Sequence, residues 1–368
     1  MKVKITRENF QKGLSAVAAT IPTRTTLPVL SNILVETLED ALRVRGTDLD
    51  ISVSVQTPAD VERRGAVTLP AKKVADIAKE LPDAPVELQS EGGRAVLTCG
   101  KAKFRLNTLP SDEYPSFPEV PFGEGWSLRS GELQNLSAHT SFAVSNEETR
   151  PVLNGVLWQM RAKEMRMVAT NGHRLAKMVV ALESDAAGAD TDLIVPPKAL
   201  QQVERLFGPD ETLEIARSES HLGFRTERTE VYTRLIEGPY PNYEQVLPKE
   251  TDKECVADRA GLAAAIRRMA IVASDQTHRV RLSFGPERLA LMVQTPDLGE
   301  AEDELPVQYA GSPVDIGFNA QYLLEVLRYM GGEEVKLKLS APERPVVFEP
   351  GDGELDYTCL VMPLRLME

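Results

Sequence analysis

Cysteine is scarce in this sequence, and no two cysteines stand at the spacing of a metal or redox site. Cys99, Cys255 and Cys359 are isolated and odd in number. A disulfide framework needs paired cysteines, and a zinc or redox site needs them close together in Cys-x-x-Cys form. The cysteine pattern therefore excludes these classes and favours a reducing, cytoplasmic compartment.

Catalytic and cofactor-binding motifs are also missing. The four histidines have no metal-ligand spacing. The sequence contains no Gly-x-x-x-x-Gly-Lys, Gly-x-Gly-x-x-Gly, Gly-x-Ser-x-Gly or His-Glu-x-x-His segment. We therefore expect no metal, no cofactor and no catalytic residues.

Long hydrophobic runs are absent as well. The apolar stretches fall far short of the ~20 residues that a membrane span needs. The first residues, Met1–Thr6, alternate like a strand and lack the apolar centre of a signal peptide. With 42% hydrophobic residues the composition is that of an ordinary globular protein, and we expect no membrane association. The net charge of −13 predicts repulsion of nucleic acid unless the basic residues are concentrated on one surface.

One pattern occurs three times along the chain, in Leu69–Leu81, Val195–Leu206 and Gly317–Arg328. Each segment reads as a strand end, an amphipathic helix and a turn into another strand. The first two copies begin 126 residues apart and the last two 122 apart. The phrases Leu109–Pro115 and Leu235–Pro241 repeat at the same spacing of 126 residues. A period of this length matches a whole domain rather than a solenoid repeat.

Each copy has the predicted order helix, strands, helix, strands. Proline-rich stretches after Tyr114 and Tyr240 separate the copies. We predict an α+β fold of three tandem domains, each with two helices on an antiparallel sheet, over residues 1–121, 122–248 and 249–368. The predicted helices are Thr6–Thr20, Ala71–Leu81, Ser130–Val144, Pro197–Phe207, Ala257–Ala273 and Asn319–Met330.

Basic residues recur on the predicted helices of all three copies. The ordinary interpretation of such residues on one helix is a solvated face. Their recurrence in equivalent helices favours one positive surface on an acidic protein. They include Arg7, Lys12, Lys72, Lys73, Lys79, Lys198, Arg205, Arg259, Arg267, Arg268 and Arg328.

The cluster Thr170–Leu175 contains an Asn-Gly turn followed by His173 and Arg174. It has three interpretations: a catalytic site, an ordinary turn with an exposed histidine, or a turn that shapes a groove for a ligand or peptide. No nucleophile or carboxylate lies nearby in sequence to work with the histidine, which argues against catalysis. We favour the groove.

Three motifs of the chain are similar to motifs of the bacterial DNA sliding clamp, the beta subunit of DNA polymerase III. They are Thr170–Leu175, the C-terminal Val361–Leu366, and Leu27–Ile33 followed by Gly46–Leu49. The resemblance covers the whole chain. It implies a head-to-tail homodimer that closes into a ring around duplex DNA, with helices inside and sheets outside. Such a ring performs no chemistry of its own and holds the replicative polymerase, the clamp loader and other proteins with a clamp-binding motif.

The resemblance also implies site residues. The DNA-binding candidates are Arg24, Lys72, Glu147, Lys198 and Arg205, although glutamine often stands in the family where this chain has Glu147. The implied peptide-binding pocket consists of Leu153, Thr170, Gly172, His173, Arg174, Leu175, Pro241, Val246, Asn319, Tyr322, Val361, Met362, Pro363, Leu364 and Arg365. Its apolar members suit a leucine or phenylalanine of a short peptide, and its polar members suit orientation of that peptide.

The implied dimer interface joins the first domain to the third. An apolar contact is expected from Phe104, Ile271 and Val272, and opposite charges are expected to direct the pairing. The charged members are Lys101, Lys103, Glu300, Glu302 and Asp303. The ordinary alternative for the acidic run is a solvated turn.

Two other functions compete with the clamp. A three-domain adaptor with a peptide pocket and no DNA role is disfavoured by Arg24 and the repeated basic helices. An enzyme with a site around His173 is disfavoured by the missing base, nucleophile and metal ligands.

Overall fold

The computed structural model describes residues 1–182, 190–274 and 276–366. Over these ranges the order helix, strands, helix, strands occurs three times, as predicted. The α-helices are α1 (Arg7–Ala18), α2 (Ala71–Glu80), α3 (Ser130–Thr140), α4 (Pro197–Leu206), α5 (Arg259–Ala270) and α6 (Ala320–Tyr329). Short 3-10 helices lie at Pro28–Ser31, Ser111–Glu113, Phe122–Glu124, Ser141–Ala143, Pro151–Asn154 and Tyr243–Gln245.

The strands fall into three groups in chain order. The first group is β1 (Lys2–Ile5), β2 (Asn32–Thr37), β3 (Ala41–Thr47), β4 (Ile51–Pro58), β5 (Asp60–Arg63), β6 (Ala66–Pro70), β7 (Val86–Glu91), β8 (Arg94–Cys99) and β9 (Ala102–Asn107). The second is β10 (Trp126–Arg129), β11 (Val156–Met160), β12 (Glu164–Thr170), β13 (Arg174–Ala181), β14 (Thr191–Val195), β15 (Thr212–Arg217), β16 (His221–Arg225) and β17 (Thr229–Arg234). The third is β18 (Lys253–Asp258), β19 (Arg279–Gly285), β20 (Arg288–Thr295), β21 (Gly299–Pro306), β22 (Gln308–Ala310), β23 (Val314–Asn319), β24 (Glu334–Leu339), β25 (Val346–Pro350) and β26 (Asp356–Val361).

Side chains at the helix starts explain why several helices begin where they do. Thr6 Oγ1 accepts the N–H of Asn9 at 3.2 Å and caps α1, as the sequence predicted. Asp258 caps α5 in the same way, and Asn319 caps α6. A cap satisfies backbone N–H groups that have no partner inside the helix. The predicted helices were each one to four residues too long at one or both ends, because fraying ends and caps carry helix-like residues.

The chain divides into two compact units. Unit 1 consists of Met1–Gln134 and Lys198–Leu235. It contains a five-stranded sheet in the order β5-β1-β7-β8-β9 and an eight-stranded sheet in the order β10-β15-β16-β17-β4-β3-β2-β6. In the second sheet β17 pairs antiparallel with β4, and Val231 stands opposite Val53. This pairing joins strands from the first and second sequence copies.

Unit 2 consists of Asn135–Pro197 and Ile236–Glu368. Its nine-stranded sheet has the order β14-β11-β12-β13-β26-β25-β24-β18-β22, and its four-stranded sheet the order β21-β20-β19-β23. Here β13 pairs antiparallel with β26, and Ala176 stands opposite Cys359. This pairing joins the second and third copies in the same way as β17 and β4 join the first two.

The cores lie between the helices and the sheets. In α1 the buried residues Phe10, Leu14 and Val17 recur at helical spacing and face the sheet. In each copy a polar side chain of the first helix also donates to a backbone carbonyl in the last turn of the second helix or just after it. The pairs are Arg7 with Lys79 O at 3.1 Å, Gln134 with Phe207 O at 3.0 Å and Arg259 with Gly332 O at 2.9 Å. Among the described helices, none has the length and apolarity to cross a membrane.

Candidate functional site

The turn between β12 and β13 positions the motif Thr170–Arg174. The hydroxyl of Thr170 accepts the N–H of Gly172 at 3.1 Å. The side-chain oxygen of Asn171 accepts the N–H groups of His173 and Arg174, each at 3.0 Å. Gly172 has a φ of +86°, which glycine adopts without steric cost. The turn is therefore closed by its own side chains and holds the imidazole at the surface.

The C-terminal segment forms a second side of the site. The N–H of Met362 donates to His173 O at 2.8 Å, and the N–H of Leu364 donates to Gly317 O at 2.7 Å. The first bond continues the pairing of β26 with β13 past its last residue, and the second connects the C-terminal segment to β23. They place Val361–Leu364 beside the turn.

The start of α6 forms a third side. Asn171 donates from Nδ2 to the Tyr322 hydroxyl at 3.4 Å. The rings of His173 and Tyr322 are stacked, with centroids 6.3 Å apart. Asn319 accepts the N–H groups of Gln321 and Tyr322 as the cap of α6. Two aromatic rings with polar edges thus stand beside the turn, an arrangement that suits orientation of a ligand.

Arg174 is held inside the site rather than presented to solvent. Its guanidinium forms an ion pair with Glu325 and donates to Phe142 O. It also lies over the Tyr322 ring, with Cζ 4.7 Å from the centroid. Burial lowers the pKa of Arg174 from its ordinary value, but an arginine stays charged at neutral pH. The side chain therefore fixes the turn and α6 together and leaves little free charge for a ligand.

An apolar floor lies under these groups. The segment before and after Pro241 covers it, and Val246 on this segment is 46% exposed. Tyr243, also on the segment, is buried and donates to Gln159 Oε1 at 2.9 Å. An exposed valine beside a buried apolar cluster is a suitable contact for an aliphatic or aromatic side chain. The cluster consists of Leu157, Val168, Leu175, Ile194, Tyr243 and Leu360, with Val152, Ile236, Tyr240, Leu247 and Met362 packed against it.

Hydrogen bonds bring most of the predicted pocket residues together. They link the turn Thr170–Leu175 to Tyr322 and to Val361–Leu364, whereas Pro241 and Val246 reach the site through the segment over the apolar floor. Leu153 is buried in the 3-10 helix Pro151–Asn154, and Arg365 is exposed. Sequence reasoning missed Asn171, Phe142, Gly317 and Glu325. Asn171 was recognisable as a turn residue, but nothing in the sequence indicates that Phe142 and Glu325 contact Arg174.

We expect Asn171→Ala to destabilise this turn. The substitution leaves the N–H groups of His173 and Arg174 without their side-chain acceptor, at a cost of about 1–2 kcal/mol in the free energy of unfolding. Urea unfolding monitored by circular dichroism measures the change. Asn171→Asp keeps the acceptor oxygen and serves as the matched control, and equal losses for both variants would contradict the assignment.

The five predicted DNA-binding residues are all exposed, but two of them, Lys198 and Arg205, already have partners within the protein. The other three are Arg24, Lys72 and Glu147. Lys198 forms an ion pair with Asp48, with Nζ 2.5 Å from Oδ2. Arg205 donates to Ser15 O at 3.0 Å and to Ala16 O near the end of α1. Cations are favourable at a helix C-terminus, so Arg205 already has a structural role.

The predicted interface residues lie at sheet edges and on exposed loops. β9 and β21 are the last strands of their sheets. Ile271 is 80% exposed and Leu298, just before β21, is 63% exposed. Asp303 forms an ion pair with Arg268. Among the residues that the structure describes, no group of His, Cys, Asp and Glu side chains is placed to hold a metal ion.

Comparison with known proteins covers the whole chain. Models of the DNA polymerase III beta subunit match as N-terminal domain over residues 1–118, central domain over 127–242 and C-terminal domain over 244–365. The beta sliding clamps of Synechococcus elongatus and Pseudomonas aeruginosa are each 35% identical, with 100% of both chains covered.

Solved structures of bacterial DNA polymerase III beta subunits are also similar to this chain over its whole length. The DNA polymerase III beta subunits of Pseudomonas aeruginosa and Streptococcus pyogenes are 34% and 30% identical, each with a TM-score of 0.95 over 100% of both chains. A further structure shows the Pseudomonas aeruginosa sliding clamp bound to griselimycin, with a TM-score of 0.94, 34% identity and 100% of both chains covered.

Proposed function

Because the chain belongs to the DNA polymerase III beta subunit family, the bacterial sliding clamps, we propose that two copies of it close into a ring around duplex DNA. The ring is a processivity factor without catalytic activity. It acts in the cytoplasm, slides without reading sequence, and holds the replicative polymerase and other factors through the groove beside Thr170–Leu175.

The pattern of strand pairing carries this proposal. The first copy contributes β4 and the second copy contributes β17, and the pairing of these two strands joins the copies into one sheet. In the same way β13 of the second copy pairs with β26 of the third. The third copy supplies the corresponding end strand β21, and the first copy supplies β9. A head-to-tail contact between β21 of one protomer and β9 of the next continues the pattern, and closure after two protomers avoids a filament.

The equivalent positions of the three sequence copies also predict which residues of β9 and β21 stand opposite each other. Phe104, Val231 and Cys359 occupy equivalent places, since each stands opposite the same position of the preceding strand: Leu97, Phe224 and Phe348 respectively. By the same reasoning Ala301 is equivalent to Val53 and Ala176, the observed partners of Val231 and Cys359.

The predicted register therefore places Phe104 of one protomer opposite Ala301 of the other. It sets Lys103 opposite Glu302, Arg105 opposite Glu300 and Lys101 opposite Glu304. Opposite charges that face each other across strands favour one pairing over its neighbours. Antiparallel pairing in every described sheet supports an antiparallel contact here.

The contact that we propose between the ring and DNA is weak and does not depend on the base sequence. Duplex DNA carries one negative charge per ~1.7 Å of its axis, and a closed ring stays on DNA by topology rather than by affinity. Arg24 and Lys72 are exposed and available for phosphates. Lys198 and Arg205 contribute less, because Asp48 and the end of α1 already engage them. Contacts to phosphates carry no sequence information.

The groove takes a short peptide from each partner. We propose that a leucine or phenylalanine of the peptide rests on the apolar floor near Val246, and that His173 and Tyr322 orient its backbone. The ion pair of Arg174 with Glu325 keeps the guanidinium from competing for acidic residues of the peptide.

Retention on circular DNA tests the proposal. Purified protein is loaded by a clamp loader onto nicked circular plasmid and passed through a gel-filtration column. We expect it to travel with the circle and to be lost when a restriction enzyme linearises the plasmid. Equal retention on both forms would indicate ordinary binding, and no retention on either would favour the adaptor.

Charge reversal tests the two basic residues that are proposed to contact phosphates, Arg24 and Lys72. We expect Arg24→Glu and Lys72→Glu each to reduce the slope of log K against log salt for duplex binding by ~0.9, the loss of one phosphate contact. The exposed Arg64→Glu, which lies between β5 and β6, is the control and should leave the slope unchanged. Fluorescence anisotropy at several salt concentrations measures it, and an unchanged slope removes the residue from the DNA surface.

A further inference from the structure

Unit 1 contains a second copy of the turn that organises the groove. The turn Thr47–Ile51 between β3 and β4 has the same hydrogen bonds as Thr170–Arg174. In both, the first residue's hydroxyl accepts the third residue's N–H, at 3.0 and 3.1 Å. The second residue's side-chain oxygen accepts the fourth and fifth N–H groups, at 3.1 and 2.7 Å in one turn and 3.0 and 3.0 Å in the other.

A second element of the groove is repeated as well. A Pro-Val-Leu segment begins a 3-10 helix at Pro28–Ser31 and again at Pro151–Asn154. Its leucine is buried in both places, Leu30 with 3% exposure and Leu153 with 4%. Unit 1 therefore holds the framework of the groove 123 residues earlier in the chain.

The side chains on this framework differ at the surface. The third turn position is Gly172 in unit 2 but Leu49 in unit 1, and Leu49 has a φ of +79°. A bulky residue in this left-handed conformation is strained, and such strain is concentrated at functional sites. The side chain that causes the strain is 50% exposed and so gains little from burial. Its presence has no explanation in the stability of unit 1.

Leu49 lines an open cavity. The cavity has a volume of about 510 Å³ and is lined by Pro22, Arg24, Thr25, Thr26, Leu27, Leu30, Asp48 and Leu49. Leu27 is 47% exposed, so two large apolar side chains border the same space. Asp48 accepts two N–H groups of the turn and pairs with Lys198, which neutralises its charge and fixes the turn. Arg24 is the cation at the cavity that remains exposed.

We propose that Leu27, Leu49 and Arg24 form a second docking site, for a partner peptide with an apolar residue next to an acidic one. The two leucines and the cavity receive the apolar side chain, and Arg24 pairs with the carboxylate. The site goes beyond the function proposed above, because it lies in unit 1, apart from the groove. Arg24 is also a residue of the proposed DNA contact, so a duplex and this peptide would compete for it. The concave space bordered by leucines, in contrast, suits a single apolar side chain rather than a phosphate.

Methyl NMR of the full-length protein labelled at leucine methyl groups tests the site. The probe is the peptide acetyl-Glu-Glu-Leu-Phe-amide, and acetyl-Glu-Glu-Ser-Ser-amide is the control of equal charge. We expect the Leu27 and Leu49 resonances to move with the first peptide and not with the second. Leu49→Gly should weaken this binding about tenfold through the lost apolar contact. The variant should also unfold at a higher denaturant concentration, since glycine removes the strain.

Three outcomes would overturn the proposal: equal shifts with both peptides, shifts only on addition of a 20-base-pair duplex, or an unchanged affinity of Leu49→Gly. The duplex outcome would assign the leucines to DNA contact instead. The groove reports separately through the methyl groups of Leu153 and Leu175. If those resonances stay still while Leu27 and Leu49 move, the function proposed for the groove fails and the second site stands.

Discussion

Substituting both Ile271 and Val272 by aspartate is expected to convert the protein from a dimer of twice 40.5 kDa into a monomer of 40.5 kDa. Ile271 is 80% exposed, and its side chain gains burial only from a partner. Two carboxylates at an apolar contact must be desolvated without partners. We expect the dimer dissociation constant to rise at least ~100-fold, the effect of losing about 3 kcal/mol. Light scattering at micromolar concentration measures the mass.

The structure offers a matched control for this substitution. Leu27 is also a large exposed apolar residue, but it lies outside the predicted interface. Leu27→Asp should leave the dimer intact. If the double variant remained a dimer, or if Leu27→Asp dissociated it as well, the interface would lie elsewhere.

Ending the chain at Val361 is expected to abolish peptide binding while the dimer persists. The truncation removes the N–H of Met362 that donates to His173 O and the N–H of Leu364 that donates to Gly317 O. It also removes the Met362 side chain from the apolar floor. We expect the affinity for a partner peptide to fall at least ~100-fold, because these groups form one side of the groove. Isothermal titration calorimetry measures the affinity.

A shorter truncation controls for the loss of the chain end. A chain that ends at Leu366 lacks two residues and keeps both hydrogen bonds, so it should bind the peptide normally. Light scattering should give the dimer mass for both truncated chains. Normal peptide binding by the chain that ends at Val361 would contradict the assignment of the groove.

Local features of the fold were predictable from the sequence because they depend on neighbouring residues. The spacing of Phe10, Leu14 and Val17 predicted the buried face of α1, and Thr6 predicted its cap. The repeated phrases predicted equivalent helices in three copies. The Asn-Gly pair predicted the turn at Thr170–Arg174, and the side chain of Asn171 closes it as Asn side chains do in such turns.

Contacts between distant segments were not predictable in the same way. The alternation Ile51–Val55 suggests a strand with one polar face, but Ser52 and Ser54 are buried because β4 lies inside an eight-stranded sheet. The DNA contact of Arg205 stays a prediction, but its hydrogen bonds to the end of α1 left no pattern in the sequence. Glu325 was an ordinary acidic residue on a helix until the fold placed it beside Arg174. Such pairings depend on tertiary geometry and leave no local pattern.

The predicted register suggests the most direct test of the ring, a disulfide between the protomers. Phe104→Cys with Ala301→Cys places two thiols opposite each other, whereas Arg105→Cys with Ala301→Cys points them to opposite faces. The three native cysteines are buried, and burial raises the pKa of Cys255 and Cys359 to about 12, so they should not compete.

The measurement is oxidation of the Phe104→Cys, Ala301→Cys protein after a clamp loader has loaded it onto nicked circular plasmid, followed by detergent and gel electrophoresis. We predict that covalently closed rings remain threaded on the circle in detergent and are released when the plasmid is linearised. The Arg105→Cys pair should not give this product. Cross-linked protein that leaves the intact circle in detergent, or that forms open chains of many protomers, would contradict the two-protomer ring.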